Sequence, residues 1–190
     1  MEPSDEELLA HYRGGFRDAL GALMTRHKRA LYGFITAMAR QEDAEEIFQE
    51  TWFRAIRNFD SYRRRNFRSW LFRIGHNLVI DRARARRKMT SLDAPMEGET
   101  QSGGSLAEVL PAPGPDPAEE AARRDVRRRV RVAVGGLPAE QRAVFLMRWQ
   151  SDLPFREIAR IQGVPLGTAL ARMQYAVNKL RLVLREEGQP

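Results

Sequence analysis

The sequence predicts an all-α protein built as two small helical domains, residues 1–88 and 118–190, joined by a flexible acidic linker over 89–117. Three observations predict it. Apolar residues recur at three- and four-residue spacing through both outer stretches, the period of helices that bury one face. Between them, MTSLDAPMEGETQSGGSLAEVLPAPGPDP holds five prolines, four glycines and no Lys or Arg, a composition that cannot bury enough apolar surface to fold by itself. The charge follows the same division: net −4 over 1–53, +10 over 54–88, −7 over 89–122 and +8 over 123–190, for a total of +7.

Basic charge gathered into two blocks is the footprint of surfaces that meet phosphates, on nucleic acid or on an anionic lipid surface. No run approaches the ~20 apolar residues that span a bilayer. The opening MEPSDEELLAHYR is acidic and lacks the apolar core of a signal peptide. Zero cysteines exclude disulfides and thiolate metal sites, which fits a cytoplasmic protein. Enzyme chemistry finds no support: His11, His27 and His76 are scattered, there is no glycine-rich phosphate loop, and no nucleophile sits beside a base at motif spacing. No cofactor, metal or small-molecule substrate is expected.

In chain order, Leu8, Leu9, Tyr12, Phe16, Leu20, Leu23, Met24, Leu31, Phe34, Ile35 and Met38 mark two or three core-forming helices, broken at Gly14-Gly15. A helix over 42–58 stripes Ala44, Ile47, Phe48, Trp52, Ala55, Ile56 and Phe59 inward. Its other faces carry Asp43, Glu46, Gln49, Glu50 and Arg54, which on composition alone read as solvated. Phe59–Asn66, FDSYRRRN, has no period and reads as a loop. It is either a solvated charge run or a trap for an extruded base, since aromatic and guanidinium faces with polar groups suit an unstacked base. A helix over 67–88 turns Trp70, Leu71, Ile74, Leu78 and Val79 inward and Arg68, Arg73, Arg82, Arg84, Arg86, Arg87 and Lys88 outward. Asp116-Pro117 caps and opens a helix that Gly135-Gly136 stop, with Val126, Val130, Ala133 and Val134 as its apolar face. Three more helices follow, LPAEQRAVFLMRWQ, FREIARIQ and LGTALARMQYAVNKLRLVLRE. The turn Gly163-Val164-Pro165 between the last two gives a helix-turn-helix signature.

The stretches DAEEIFQETWFRAI and NFRSWLFRIGHNLVIDRARARRK resemble region 2 of bacterial extracytoplasmic-function (ECF) sigma factors. The residues in register are Asp43, Ala44, Glu45, Glu46, Gln49, Glu50, Phe53, Phe67, Trp70, Leu71, Ile74, Asn77 and Asp81. The last three helices resemble sigma region 4, with Leu137, Pro138, Gln141 and Arg142 matching its opening. The resemblance implies a promoter-recognition subunit that binds core RNA polymerase through Asp43, Glu46, Gln49, Glu50 and Arg54. It implies recognition and melting of the -10 element by Phe59, Tyr62, Arg63, Arg64, Arg65, Asn66, Arg68, Arg73, Asn77 and Arg84. It implies reading of the -35 element by Arg156, Thr168, Leu170, Ala171, Arg172, Tyr175 and Lys179. The linker would thread the RNA channel as an acidic mimic of a nucleic-acid strand, or act as a plain spacer. An anti-sigma factor, often one anchored in the inner membrane, is a further implied partner.

The second module departs from the family pattern. Pro154 occupies the place of the usual Ser or Thr, so no reciprocal cap with Glu157 forms. Leu170, Ala171 and Tyr175 replace a Lys, a Ser and an Arg, leaving Arg172 as the one residue of that window able to grip guanine in two places. Either the -35 element is unusual, or this surface serves another partner. A competing reading, a helix-turn-helix repressor or activator without polymerase, leaves the acidic Gln-bearing helix and the arginine loop unused.

Overall fold

The structure, a computed structural model, describes residues 2–60, 62–63, 66–93 and 117–186. Among these residues there are eight helices and no strand: α1 Asp5–Arg13, α2 Asp18–Met38, α3 Gln41–Arg57, α4 Phe67–Asp93, α5 Pro117–Gly135, α6 Ala139–Ser151, α7 Phe155–Gln162 and α8 Leu166–Glu186. The boundary drawn at residue 88 cuts through α4, which runs on to Asp93. The Asp116 cap and the linker stretch 94–116 lie outside the described residues.

α1 begins at a capping box: the Ser4 hydroxyl accepts from the Glu7 amide while the Glu7 carboxylate accepts from the Ser4 amide. That exchange holds the Glu7 carboxyl below its ordinary pKa. The chain reverses at Gly15, whose φ of 96° lies in the left-handed region open to glycine. Phe16, read as part of the core, is exposed in this turn. α1 is tied to α2 through Asp5, which lies 2.8 Å from both the Arg26 guanidinium and His27 Nε2. Burial alone would raise the Asp5 carboxyl, but the hydrogen bonds and charges of His27 and Arg26 outweigh it and hold the pKa down.

The core of the first module joins Leu23, Leu31, Phe34 and Ile35 of α2 to Ile47, Trp52 and Ala55 of α3 and Leu71, Phe72 and Val79 of α4. Gly75 of α4 allows the close approach; a Cβ there would stand 3.2 Å from the Leu31 side chain. At the end of α2, Phe34, Ile35, Thr36, Ala37 and Met38 are buried in succession. A helix with only one covered face cannot bury five consecutive residues. The second cover is α6, which packs on α2 while α7 packs on α4. The two modules therefore share one continuous core.

In the second module Ala133, Val134, Leu137, Val144, Leu146, Met147, Ile158, Ala169, Ala176 and Leu180 are buried. Val126, read as apolar-face, is exposed. α6 ends at Asp152 and α7 at Gly163, both left-handed, with φ of 48° and 65°. α7 starts at Pro154 with no side-chain cap.

Candidate nucleic-acid interface

The outward face of α3 presents Gln49, bonded to Glu45 at 3.1 Å, and Glu50, paired with Arg54 at 2.7 Å. Between them Phe53 is 53% exposed, with the Arg57 guanidinium 5.4 Å from its ring centre. Asp43 does not share this face. It is only 8% exposed, because it flanks Ala44 and Ile47 on the apolar side, and it is ion-paired to Arg86 and, at 3.8 Å, to Arg82 of α4. Glu46 is exposed but also paired to Arg82, and that bond raises the Arg82 pKa. The expected contact set thus divides into an open group, Gln49, Glu50 and Arg54, and a group engaged with α4, Asp43 and Glu46.

The aromatics of the 59–66 stretch correct the sequence reading most. Phe59 and Tyr62 are 1% and 6% exposed. Phe59 meets Tyr12 edge-on at 5.4 Å and Phe67 at 5.9 Å; Tyr62 meets Trp70 at 4.9 Å and Phe67 at 5.9 Å. Their rings face the protein, so as placed they hold the loop and offer no face to a base. Trp70 joins the same cluster, as its place in the apolar stripe predicts. Arg63 donates to the carbonyls of Asp60 and Tyr62. Asn66 caps α4, its Oδ1 accepting from the Ser69 amide at 2.9 Å, so its side chain is committed to the backbone. Arg64 and Arg65 lie outside the described residues.

On α4, half-buried Arg73 and exposed Asn77, Asp81, Arg84 and Lys88 follow one another at three- and four-residue steps, a single outward stripe. Arg68 is directed elsewhere: it donates to the Ser151 carbonyl of α6 at 3.0 Å, bridging the modules.

In the helix-turn-helix, Arg156, Thr168, Leu170, Ala171 and Tyr175 are exposed. Arg172 is half-buried and donates to Gln162 Oε1 at 2.8 Å, which braces α8 on α7. Lys179 donates to the Gly136 carbonyl at 2.8 Å. Two of the three cations in the expected -35 set, Arg172 and Lys179, are therefore partly committed to the fold, and Arg156 is exposed.

Sequence reasoning quoted Arg142 as a motif letter without a role. It is 4% exposed and donates to the carbonyls of Ala37 (3.2 Å), Gly135 (2.7 Å) and Leu137 (3.0 Å), joining the C-terminal ends of α2 and α5. Those ends carry partial negative charge, which suits a buried cation; burial still lowers its pKa. Beside it a cavity of ≈ 50 Å³ is lined by Arg40, Arg82, Arg86, Arg87 and Arg142 together with Asp43. His76 of α4 is also buried, and the charges of Arg172 and Glu140 of the second module act on it. Burial lowers its pKa, Arg172 adds to the shift, and Asn77 and Glu140 oppose it. Among the described residues no His, Asp and Glu group could hold a metal, and no helix is long and apolar enough to cross a membrane.

Comparison with known proteins matches residues 23–89 to sigma-70 region 2 and residues 127–180 to sigma-70 region 4. The ECF RNA polymerase sigma factor SigW of Bacillus subtilis is 29% identical over 188 residues, covering 98% of this chain and all of that protein. The ECF RNA polymerase sigma-E factor of Escherichia coli K12 is 27% identical over 174 residues, covering 90% of this chain and 88% of that one. Among solved structures, CnrH in complex with the cytosolic domain of CnrY superposes with a TM-score of 0.66 at 24% identity, over 97% of this chain and 99% of that one. RpoE of Bartonella quintana, in complex with the anti-sigma factor NepR, gives 0.65 at 22% identity, over 85% and 94%. These two likenesses concern the fold.

Proposed function

This chain belongs to the sigma-70 family, in its ECF branch, and directs promoter-specific transcription initiation without being an enzyme; from that premise we propose which of its surfaces carries each step. Core RNA polymerase docks on the open face of α3, on Gln49, Glu50 and Arg54 with Phe53 at the centre, and draws Glu46 away from Arg82. An exposed aromatic ringed by polar groups is the pattern of an interface anchor. The -10 element is held by Arg63, Arg64 and Arg65 of the loop and by the α4 stripe of Arg73, Asn77 and Arg84. Phe59, Tyr62 and Asn66 act there as the frame. Arg68 joins the DNA-binding set once released from Ser151. Asp43 is reassigned from polymerase contact to bracing α3 on α4.

The -35 element lies across Arg156, Thr168, Leu170, Ala171, Arg172, Tyr175 and Lys179. With Leu170 and Ala171 exposed at the centre, apolar contact with thymine methyls replaces part of the usual guanine readout. The same apolar surface suits an anti-sigma factor, the kind of partner that RpoE holds in its solved complex with NepR. The protein works in the cytoplasm, and the stretch 94–116 ties the two modules as an acidic linker. The observation that carries this assignment is the open Gln49–Glu50–Arg54 face on α3 beside a separate outward cationic stripe on α4. A repressor needs the second and has no use for the first. The test is runoff transcription from genomic promoter fragments with sigma-free core polymerase. New start sites that depend on this protein are expected, and transcripts indifferent to its addition would count against the assignment.

A further inference from the structure

The N-terminal helix ends in a contact that the family regions do not include. Arg13, the last residue of α1, donates its guanidinium to the backbone carbonyls of Phe59 and, at 3.1 Å, Tyr62. It precedes the matched segment 23–89 and reaches 46 and 49 residues along the chain. Both carbonyls belong to the turn that leaves α3, where the Tyr62 amide already donates to the Phe59 carbonyl and Arg13 adds a second, charged donor from a distant helix. The neighbouring Tyr12 adds the edge-on contact with Phe59. The turn is thus held from within by the Phe67–Trp70 cluster, locally by Arg63 on the Asp60 and Tyr62 carbonyls, and from α1 by Arg13. Asn66 fixes its far end as the α4 cap.

We propose that Arg13 is a positioning residue for -10 recognition: by fixing the Phe59 and Tyr62 carbonyls, it presets the backbone from which the loop arginines meet the opened strand. This rests on the assignment of 59–66 to the -10 element. Ordering a free loop residue costs on the order of 1–2 kcal/mol each, a cost met at every binding event unless the fold has met it beforehand. Arg13 acts through the turn. Its loss should therefore blur discrimination between bases without touching the polymerase contact, which lies on the exposed face of α3.

The experiment uses full-length protein assembled with core polymerase and a promoter library randomised across the -10 window. Arg13→Ala should flatten the selected base profile about tenfold, the scale of one charge-assisted hydrogen bond. Core capture should stay at the parental value, the thermal midpoint should fall by no more than a few degrees, and Arg13→Lys, which can still donate to the turn, should restore most of the profile. An unchanged profile in Arg13→Ala overturns the proposal, and so does a profile lost together with core capture or with cooperative unfolding. The triple variant R63A/R64A/R65A separates the two layers of argument. If it flattens the profile while Arg13→Ala does not, only the role of Arg13 falls. If it too leaves the profile intact, the loop has no part in -10 reading and Arg13 falls with it.

Discussion

Glu50 and Asp43 stand two helical turns apart on α3 and answer to different charges. Glu50 shares an exposed pair with Arg54, an interaction worth about 0–1 kcal/mol that a partner can displace. Glu50→Arg should therefore abolish core capture in a pull-down while leaving the melting curve in place; unaltered capture would remove this face from the polymerase contact. Asp43, buried between Arg82 and Arg86, should behave in reverse. Asp43→Asn should cost about 1–3 kcal/mol of stability in denaturant titrations, because Arg86 loses its nearest carboxylate and Arg82 is left with Glu46 alone, and the folded fraction should still bind core. His76 adds a pH dependence. Its folded pKa lies below 6.5, so the unfolded chain takes up a proton that the folded one refuses. That contribution is complete above about pH 6.5 and falls away as the pH drops through the folded value. His76→Gln should flatten the slope of thermal midpoint against pH below 6.5; a slope equal to the parental one would place the titration elsewhere.

At the scale of the element, the entry to α4 is where sequence and structure part. Asn66→Ala should destabilise the first module by about 1 kcal/mol, the usual value of an N-cap, measured by thermal or urea unfolding. No change would mean that the cap contributes nothing. The helices themselves were legible because each keeps its apolar period over several turns, and because Gly14-Gly15, Gly135-Gly136 and Gly163 punctuate them. The direction of the loop aromatics was not legible, because composition says which side chains the loop holds but not which way they turn. Phe59 and Tyr62 look available in FDSYRRRN until Tyr12, Phe67 and Trp70 are seen around them. Arg13 was invisible for the same reason, since its partners are distant in the chain and are backbone atoms. Asp43 fits the motif equally well whether it faces solvent or α4.

Over the whole molecule, α6 and α7 lie directly against α2 and α4. The two promoter elements assigned to these modules lie along a duplex that advances about 34–36 Å per turn. Separating the modules along that duplex is expected to open this packed arrangement. The contacts that hold it shut include Arg142 on the Ala37 carbonyl and Arg68 on the Ser151 carbonyl. Arg68→Ala should raise the radius of gyration of the free protein in small-angle scattering, with each module's helical content kept. Arg142→Met should open it further, at about 2 kcal/mol or more in the second module, where Gly135 and Leu137 lose their donor. A radius unmoved in both variants would show that these bonds do not keep the modules together. The shared core was beyond sequence reasoning, since five consecutive buried residues at the end of α2 look like any helix until a second surface covers them.

Trp149 of α6 lies 77% exposed, stacked on Phe145 at 6.1 Å, while Trp52 is sealed in the core and Trp70 is half-covered. The chain thus carries one water-facing indole among three. Its fluorescence should shift to the blue when a partner covers that side of α6 and stay put when binding occurs elsewhere. The protein is its own optical probe, and complex formation can be timed in a stopped-flow cell with no dye attached.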